Sequence, residues 1–144
     1  MAKDKGKAKL ERTLVMVPMF RDLPKRHLRK LAGYCEVGEY MSGSSIVKKG
    51  EPGDAFYVVL AGQAKVTSGR TFLGRLLPGD HFGEIAVLDG GMRSATVTSE
   101  TPMTLLILRR AELLKALKDD PDLARHMMVE LAKMIRRVND SISQ

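Results

Sequence analysis

The sequence predicts an α+β protein, an antiparallel β-sandwich or barrel flanked by N-terminal and C-terminal helices. Two observations carry this. Between Cys35 and Leu108 the chain falls into short strand-length pieces, separated by Gly38, Gly43, Gly50, Pro52-Gly53, Gly62, Gly69, Gly74 and Pro78-Gly79. Such close punctuation by turn residues marks many short antiparallel strands. On either side of that region the texture is helical, and after Arg110 the apolar residues recur at steps of three and four.

Taken in order, residues 1–8 are rich in Lys and Gly and show no periodicity, so they read as a disordered basic arm. Lys9 to Val17 makes a short helix ended by Pro18. Pro24 suits the first turn of a second helix running to about Gly33, with Asp22 near enough to help cap it. Leu28 and Leu31 face the core, and His27 reads as a solvated helix residue. Five strand pieces follow: Glu36–Tyr40, Ser45–Lys48, Ala55–Leu60, Gln63–Ser68 and Thr71–Leu77. Ala95–Ser99 and Met103–Leu108 add two more, separated by Glu100-Thr101-Pro102. From Arg110 to Lys118 a helix carries Leu113, Leu114 and Leu117 on one face. Asp119 or Asp120 caps a last helix with Pro121 at its first position. That helix aligns Leu123, Met127, Met128, Leu131, Met134, Ile135 and Val138. The organisation expected is one domain over residues 9–144, with leading helices at 9–34, strands at 35–108 and C-terminal helices at 109–140.

The bulk numbers narrow the function class. A chain of 144 residues, 44% hydrophobic and 28% charged, is that of a single globular domain. The apolar run Leu14–Phe20 is interrupted by Pro18 and far below the roughly 18 residues of a membrane span, so no transmembrane segment is expected. The basic start lacks the apolar stretch and small-residue cleavage site of a signal peptide. One cysteine, Cys35, excludes an internal disulfide framework and fits a reducing, cytoplasmic setting. Its simplest role is a small buried apolar residue. The net charge of +7 gathers at the ends, with five basic against two acidic residues from Met1 to Arg12 and four against one from Arg125 to Arg137. A solvated face plus a basic tail explains this most simply; a nucleic-acid or anionic-membrane surface is the alternative.

The stretch with the densest chemistry is Asp80 to Val97, DHFGEIAVLDGGMRSATV. A helical turn presents free amides at its start, which favour an anion. A nearby Arg adds a planar fork of donors that matches two phosphate oxygens. A Glu on the same loop would repel a phosphate but accepts a hydrogen bond from a sugar hydroxyl. The local chemistry therefore asks for a ligand with one phosphate and a neighbouring hydroxyl.

Phe82-Gly83-Glu84-Ile85-Ala86-Val87, a spacer from Leu88 to Met92, and Arg93-Ser94-Ala95-Thr96-Val97 together resemble the phosphate-binding cassette of the cyclic nucleotide-binding domain family, of the catabolite activator protein and cAMP-dependent kinase regulatory subunit type. The spacing from Glu84 to Arg93 matches; Met92 stands where the family usually has Pro. Lys49 to Gly62, KGEPGDAFYVVLAG, resembles the family's turn-and-hairpin phrase, and the stretch around Leu14–Pro24 resembles the segment that precedes its first helix. The resemblance covers residues 14–138 and implies an antiparallel jelly-roll (double-stranded β-helix), with the glycines of the Lys49–Gly62 phrase serving its corners.

By the same resemblance, Arg93 pairs with the exocyclic phosphate oxygens and Glu84 takes the ribose 2′-hydroxyl. Gly83 allows close backbone approach, the amides of Ile85 and Ala86 face the phosphate, and the Ile85 and Val87 side chains pack inward. Phe82, Ser94 and Ala95 complete the cassette; Ser94 leans towards cyclic AMP over cyclic GMP. Leu73, Leu76 and Leu77 are candidates for the base wall, with core packing the simpler role. Arg136, Arg137 and Asn139 are placed by distance along the chain as a lid over the base; a solvated basic helix end is the simpler reading.

His81 beside Glu84 invites a metal site of the cupin kind. The three histidines are widely separated in sequence and form no His-x-His, so no metal is expected, and no nucleophile–base grouping points to catalysis. The expectation is a free-standing, non-catalytic cyclic nucleotide sensor that needs no cofactor and signals through movement of its last helix. That helix acts on a downstream protein partner or pairs with a second copy as a homodimer. With nothing but Asn139–Gln144 after it, no direct operator DNA binding is expected. The rival readings are a jelly-roll protein-interaction module that has lost the nucleotide, and a basic nucleic-acid or membrane-surface binder.

Overall fold

The computed structural model describes residues 2–143. The chain divides into two compact units: a sheet unit, Cys35–Leu113, and a helical unit, Met1–Tyr34 with Leu114–Gln144.

The sheet unit holds eight strands. They are β1 (Glu36–Tyr40), β2 (Ser45–Val47), β3 (Ala55–Ala61), β4 (Ala64–Ser68), β5 (Thr71–Leu76), β6 (His81–Phe82), β7 (Thr96–Ser99) and β8 (Met103–Arg109), with α3 (Glu84–Asp89) between β6 and β7. They form two antiparallel four-stranded sheets, in the orders β1-β8-β3-β6 and β2-β7-β4-β5. This is the expected jelly-roll, in which consecutive strands pass from one sheet to the other except at the β4–β5 hairpin. β3 and β8 are buried on both faces, which is why AFYVVLA and MTLLILR read as apolar runs rather than alternations. Tyr57 and Val59 of β3 and Leu105 and Ile107 of β8 share one core with Val47, Ala64 and Val97 of the facing sheet, as the two-residue period requires. The two-residue β6 is too short to read from periodicity. It pairs Phe82 with Tyr57 and His81 with Val58, and so ties the start of the Asp80–Val97 stretch to the central strand. Cys35 lies at the start of this unit, and burial pushes its thiol up to about 12, the behaviour of an apolar residue rather than a redox thiol.

The helical unit contains α1 (Ala2–Val15), α2 (Lys25–Tyr34), the end of α4 (Arg110–Asp119) and α5 (Pro121–Ser143). Residues 2–8, expected as a disordered arm, are the first turns of α1. Absence of periodicity says that no face is buried, not that the backbone cannot coil, and Ala and Lys are good helix formers. Leu28 and Leu31 are buried as expected. His27, expected in solvent, is 1% exposed. On α4, Leu113 and Ala116 are buried while Leu114 is exposed, so the apolar face lies a quarter-turn from the expected one. Asp120 caps α5, accepting from the Leu123 amide at 3.2 Å. The expected apolar stripe of α5 divides: Leu123 and Met127 are buried, whereas Met128, Ile135 and Val138 are exposed. No helix among the described residues is long and apolar enough to cross a membrane.

Candidate functional site

In the sheet unit the Asp80–Val97 stretch folds into a turn, β6, α3 and a bend that leads to β7. α3 is short because both ends are set by glycine: Gly83 precedes it and Gly90 closes it, its amide bonding Ala86 O at 2.8 Å. Gly83 has φ 88°, a conformation that a residue with a Cβ adopts only under strain. A Cβ there would also stand 2.5 Å from Arg93 Nη1 and 2.8 Å from Ala55 O. The glycine thus makes room for the arginine as well as for the turn, a second reason beyond the expected close backbone approach.

Arg93 is held from both sides. Its amide donates to Glu51 O at 2.8 Å and its carbonyl accepts from the Gly50 amide at 2.9 Å, while the Gly53 amide donates to Gly91 O at 2.8 Å. Gly53 lies so close to α3 that a Cβ on it would sit 2.1 Å from Ala86 Cβ. The Lys49–Asp54 phrase therefore braces the cassette as well as turning the chain. The Arg93 side chain is 5% exposed. Its Nη2 donates to Ala55 O at 2.8 Å and lies 3.4 Å from Asp54 Oδ1. The guanidinium stands 5.8 Å over the Tyr57 ring, within cation–π reach. Burial pushes the Tyr57 hydroxyl up to about 12, so that ring stays neutral. Phe82 stacks on the same Tyr57 ring, 4.8 Å between ring centroids.

Glu84 opens α3, and its Oε2 lies 3.2 Å from His81 Nδ1. Burial alone would raise the Glu84 carboxyl, but the His81 hydrogen bond, a backbone hydrogen bond and the His81 charge together hold it below its usual range. The Glu84 hydrogen bond in turn raises His81 against the opposing effect of its burial.

Glu84 and Arg93 both line a cavity of about 460 Å³, within the roughly 300–1,000 Å³ range of small-molecule sites. Of the eight cassette residues expected from sequence, Phe82, Gly83, Glu84, Ala86, Arg93, Ser94 and Ala95 line it. Ile85 lies in α3, and its side chain is outside what the structure describes; Val87 is fully buried. Val47, Val66, Leu76 and Val97 supply an apolar floor. Leu76 thus joins the cavity, whereas Leu73 and Leu77 are 56% and 49% exposed, neither cavity wall nor core. Asp89 and Met92 also line it and were not singled out from sequence. The Asp54 and Ala55 O anchor for Arg93 was missed as well, because a backbone carbonyl 38 residues away leaves no mark in a local motif. Arg136, Arg137 and Asn139 lie on α5 of the helical unit, where all three are exposed.

A protein-family model described as a cyclic nucleotide-binding domain matches residues 37–120, more than half of the chain. A CRP-like cAMP-activated global transcriptional regulator of Mycobacterium tuberculosis is 24% identical over 139 residues, which is 93% of this chain and 62% of that protein. A cAMP-dependent protein kinase regulatory subunit of Schizosaccharomyces pombe is 31% identical over 117 residues, 81% of this chain and 28% of that protein. The chain therefore spans less than two thirds of the length of these curated relatives. Among solved structures, the N-terminal domain of a transcriptional regulator from Streptomyces coelicolor A3(2) matches with a TM-score of 0.80 and 29% identity, covering 90% of this chain and 94% of that one.

Proposed function

The chain belongs to the cyclic nucleotide-binding domain family, and from that premise we propose that it is a non-catalytic sensor whose cavity takes a cyclic nucleotide, cyclic AMP in preference to cyclic GMP. The observation that carries the reading is the convergence of Glu84 and Arg93 on one cavity floored by valines and leucine. Arg93 meets the anionic oxygens of the cyclic phosphate. Its Nη2 contacts leave other donors of the five on a guanidinium for that task. Glu84, kept ionised, accepts from the ribose 2′-hydroxyl, and the amides opening α3 face the phosphate. Ser94 on the cavity wall supports the preference for cyclic AMP, the nucleotide named by both kinds of curated relative.

The output we assign to α5. Met128, Leu131, Ile135, Val138 and Ile142 follow one another at alternating steps of three and four, the seam of a two-stranded coiled coil. Four of them are conspicuously exposed for apolar residues: Met128 63%, Ile135 61%, Val138 58% and Ile142 78%. A second copy of this chain is the occupant that matches a self-complementary seam. Arg136, Arg137 and Asn139, on the same helix, remain the residues proposed to answer to the bound base.

Calorimetric titration with cyclic AMP and cyclic GMP, after unfolding and refolding to strip carried ligand, tests the sensor. Arg93→Ala should weaken binding roughly tenfold to 150-fold, since a charge-assisted bond is worth about 1.5–3 kcal/mol. Failure of both nucleotides to bind would sink the sensor reading. Sedimentation of Ile135→Glu tests the seam: the wild type should be a dimer and the variant a monomer. A wild-type monomer at all concentrations would remove the homodimer. Unchanged hydrogen exchange of residues 121–138 on nucleotide addition would remove α5 as the output.

A further inference from the structure

The helical unit contains a second constellation of polar groups that the nucleotide reading does not use. His27 of α2 and His126 of α5 lie with ring centroids 5.4 Å apart, and Asp122 stands between them. His27 Nε2 is 3.0 Å and His126 Nε2 3.6 Å from the same oxygen, Asp122 Oδ2. The three ligand atoms all lie within 4.8 Å of one another. Two zinc bonds of about 2.0–2.1 Å at the tetrahedral angle hold their ligand atoms about 3.3 Å apart, so the set closes on an ion with small side-chain shifts. Asp122 and His126 are one helical turn apart and share a face of α5.

The surroundings fit a ligand histidine. His27 is 1% exposed, and its other nitrogen, Nδ1, lies 3.0 Å from Asp120 Oδ2. Nδ1 makes no hydrogen bond as it stands; a small turn of the ring would give its hydrogen to the Asp120 carboxylate and free the Nε2 lone pair for an ion, the outer support that metal-bound histidines commonly have. Asp120 is itself fixed by capping α5 through its other oxygen. We propose that His27, Asp122 and His126 form a binding site for a divalent metal ion of borderline softness, zinc being the best match, with a fourth position open to water. Two imidazoles and one carboxylate suit zinc, whereas calcium and magnesium require more oxygen ligands.

Two guanidiniums compete for the same carboxylate. Arg26 Nη2 bonds Asp122 Oδ2, and Arg125 Nη2 lies 3.1 Å from Asp122 Oδ1 and 3.4 Å from His126 Nε2. Their side chains are 67% and 61% exposed, so both can turn to solvent and yield Asp122 to an ion. The competition separates a metal site from a purely structural clamp.

The full chain, stripped with chelator, is titrated with zinc chloride near neutral pH, by calorimetry and by thermal unfolding. The expected result is one equivalent bound at micromolar or tighter Kd, with a rise in Tm. His126→Gln should weaken binding at least about tenfold, and Arg26→Gln should tighten it severalfold by removing a competing cation. Absence of zinc binding overturns the site. So does binding that His126→Gln leaves unchanged, which would put the ion elsewhere, for example at His81 and Glu84. Should His126→Gln fail to fold, Arg26→Gln decides alone, and an affinity equal to the wild type's overturns the proposal. No nucleotide enters this experiment, so its outcome is independent of the sensor reading.

Discussion

The cassette of the sheet unit and the histidine clamp of the helical unit are both polar constellations, but they are assembled in opposite ways. The cassette draws Phe82 through Ala95 from one continuous stretch, and its shape comes from backbone: two glycine-set helix ends and the bonds that pin residues 91–93 to residues 50–53. The clamp joins His27 to Asp122 across 95 residues of sequence, and its shape comes from side chains on two helices. A backbone-built site fails when a single torsion is denied. A side-chain-built site degrades by the strength of the bonds removed. Variants that separate these two failure modes break or sharpen the comparison.

The largest effect is expected at Gly83. Gly83→Ala forces a Cβ into a left-handed conformation, costing about 1–2 kcal/mol, and against Arg93 Nη1 and Ala55 O, where overpacking costs a further 1–3 kcal/mol or so. The guanidinium can move but the carbonyl of β3 cannot. Urea unfolding should report a loss of at least about 2 kcal/mol, and cyclic nucleotide binding should fall with it, because the displaced group is Arg93. A Gly83→Ala protein with wild-type urea midpoint and affinity would show that the cassette is not backbone-limited.

The same contrast explains what was legible in the sequence. Seven strands and the cassette were readable because turn residues, the strand-length pieces between them and the Glu84–Arg93 interval are local signals. β6 was not, since two residues carry no period. The brace of Arg93 on Ala55 O was not, since a carbonyl belongs to every residue. In the helical unit, His27 was placed in solvent because a His between Arg26 and Leu28 looks polar-faced; only its non-local partners Asp120 and Asp122 explain its burial. The expectation of no metal site rested on histidines far apart in sequence, and the fold brings two of the three together. Separation along the chain is a poor measure of separation in space once helices pair.

A smaller effect is expected at that clamp. His27→Leu keeps the volume roughly and removes the contacts at 3.0 Å to Asp120 and Asp122. Both carboxylates retain water access, with side chains 20% and 39% exposed, so neither is left stranded in a dry interior. The loss should be about 1 kcal/mol by urea unfolding, typical of net hydrogen-bond contributions. A gain in stability instead would mean that desolvating His27 outweighs its contacts, and that the clamp is kept for something other than stability.

The smallest effect belongs to His81 and Glu84, where each unit's rule meets in one pair: backbone places the two residues three apart, and a side-chain bond at 3.2 Å joins them. Bonding to Glu84 raises His81 above its ordinary 6.5, so the pair's contribution is fully present below that value and is lost as pH rises through the higher folded one. Glu84 lies below its ordinary 4.5, so its contribution is present above that value and is lost as pH falls through the lower folded one. The pair therefore helps most between about pH 4.5 and about pH 6.5. Both side chains are about a quarter exposed, and solvent screening keeps the effect small. The stability difference between wild type and His81→Gln, followed by urea unfolding across that range and up to about pH 8.5, should shrink as pH rises past His81. A difference that stays constant or widens towards alkaline pH would mean that the bond to Glu84 does not govern His81. The carboxylate proposed to meet the ribose would then be set by backbone alone, like the rest of the cassette.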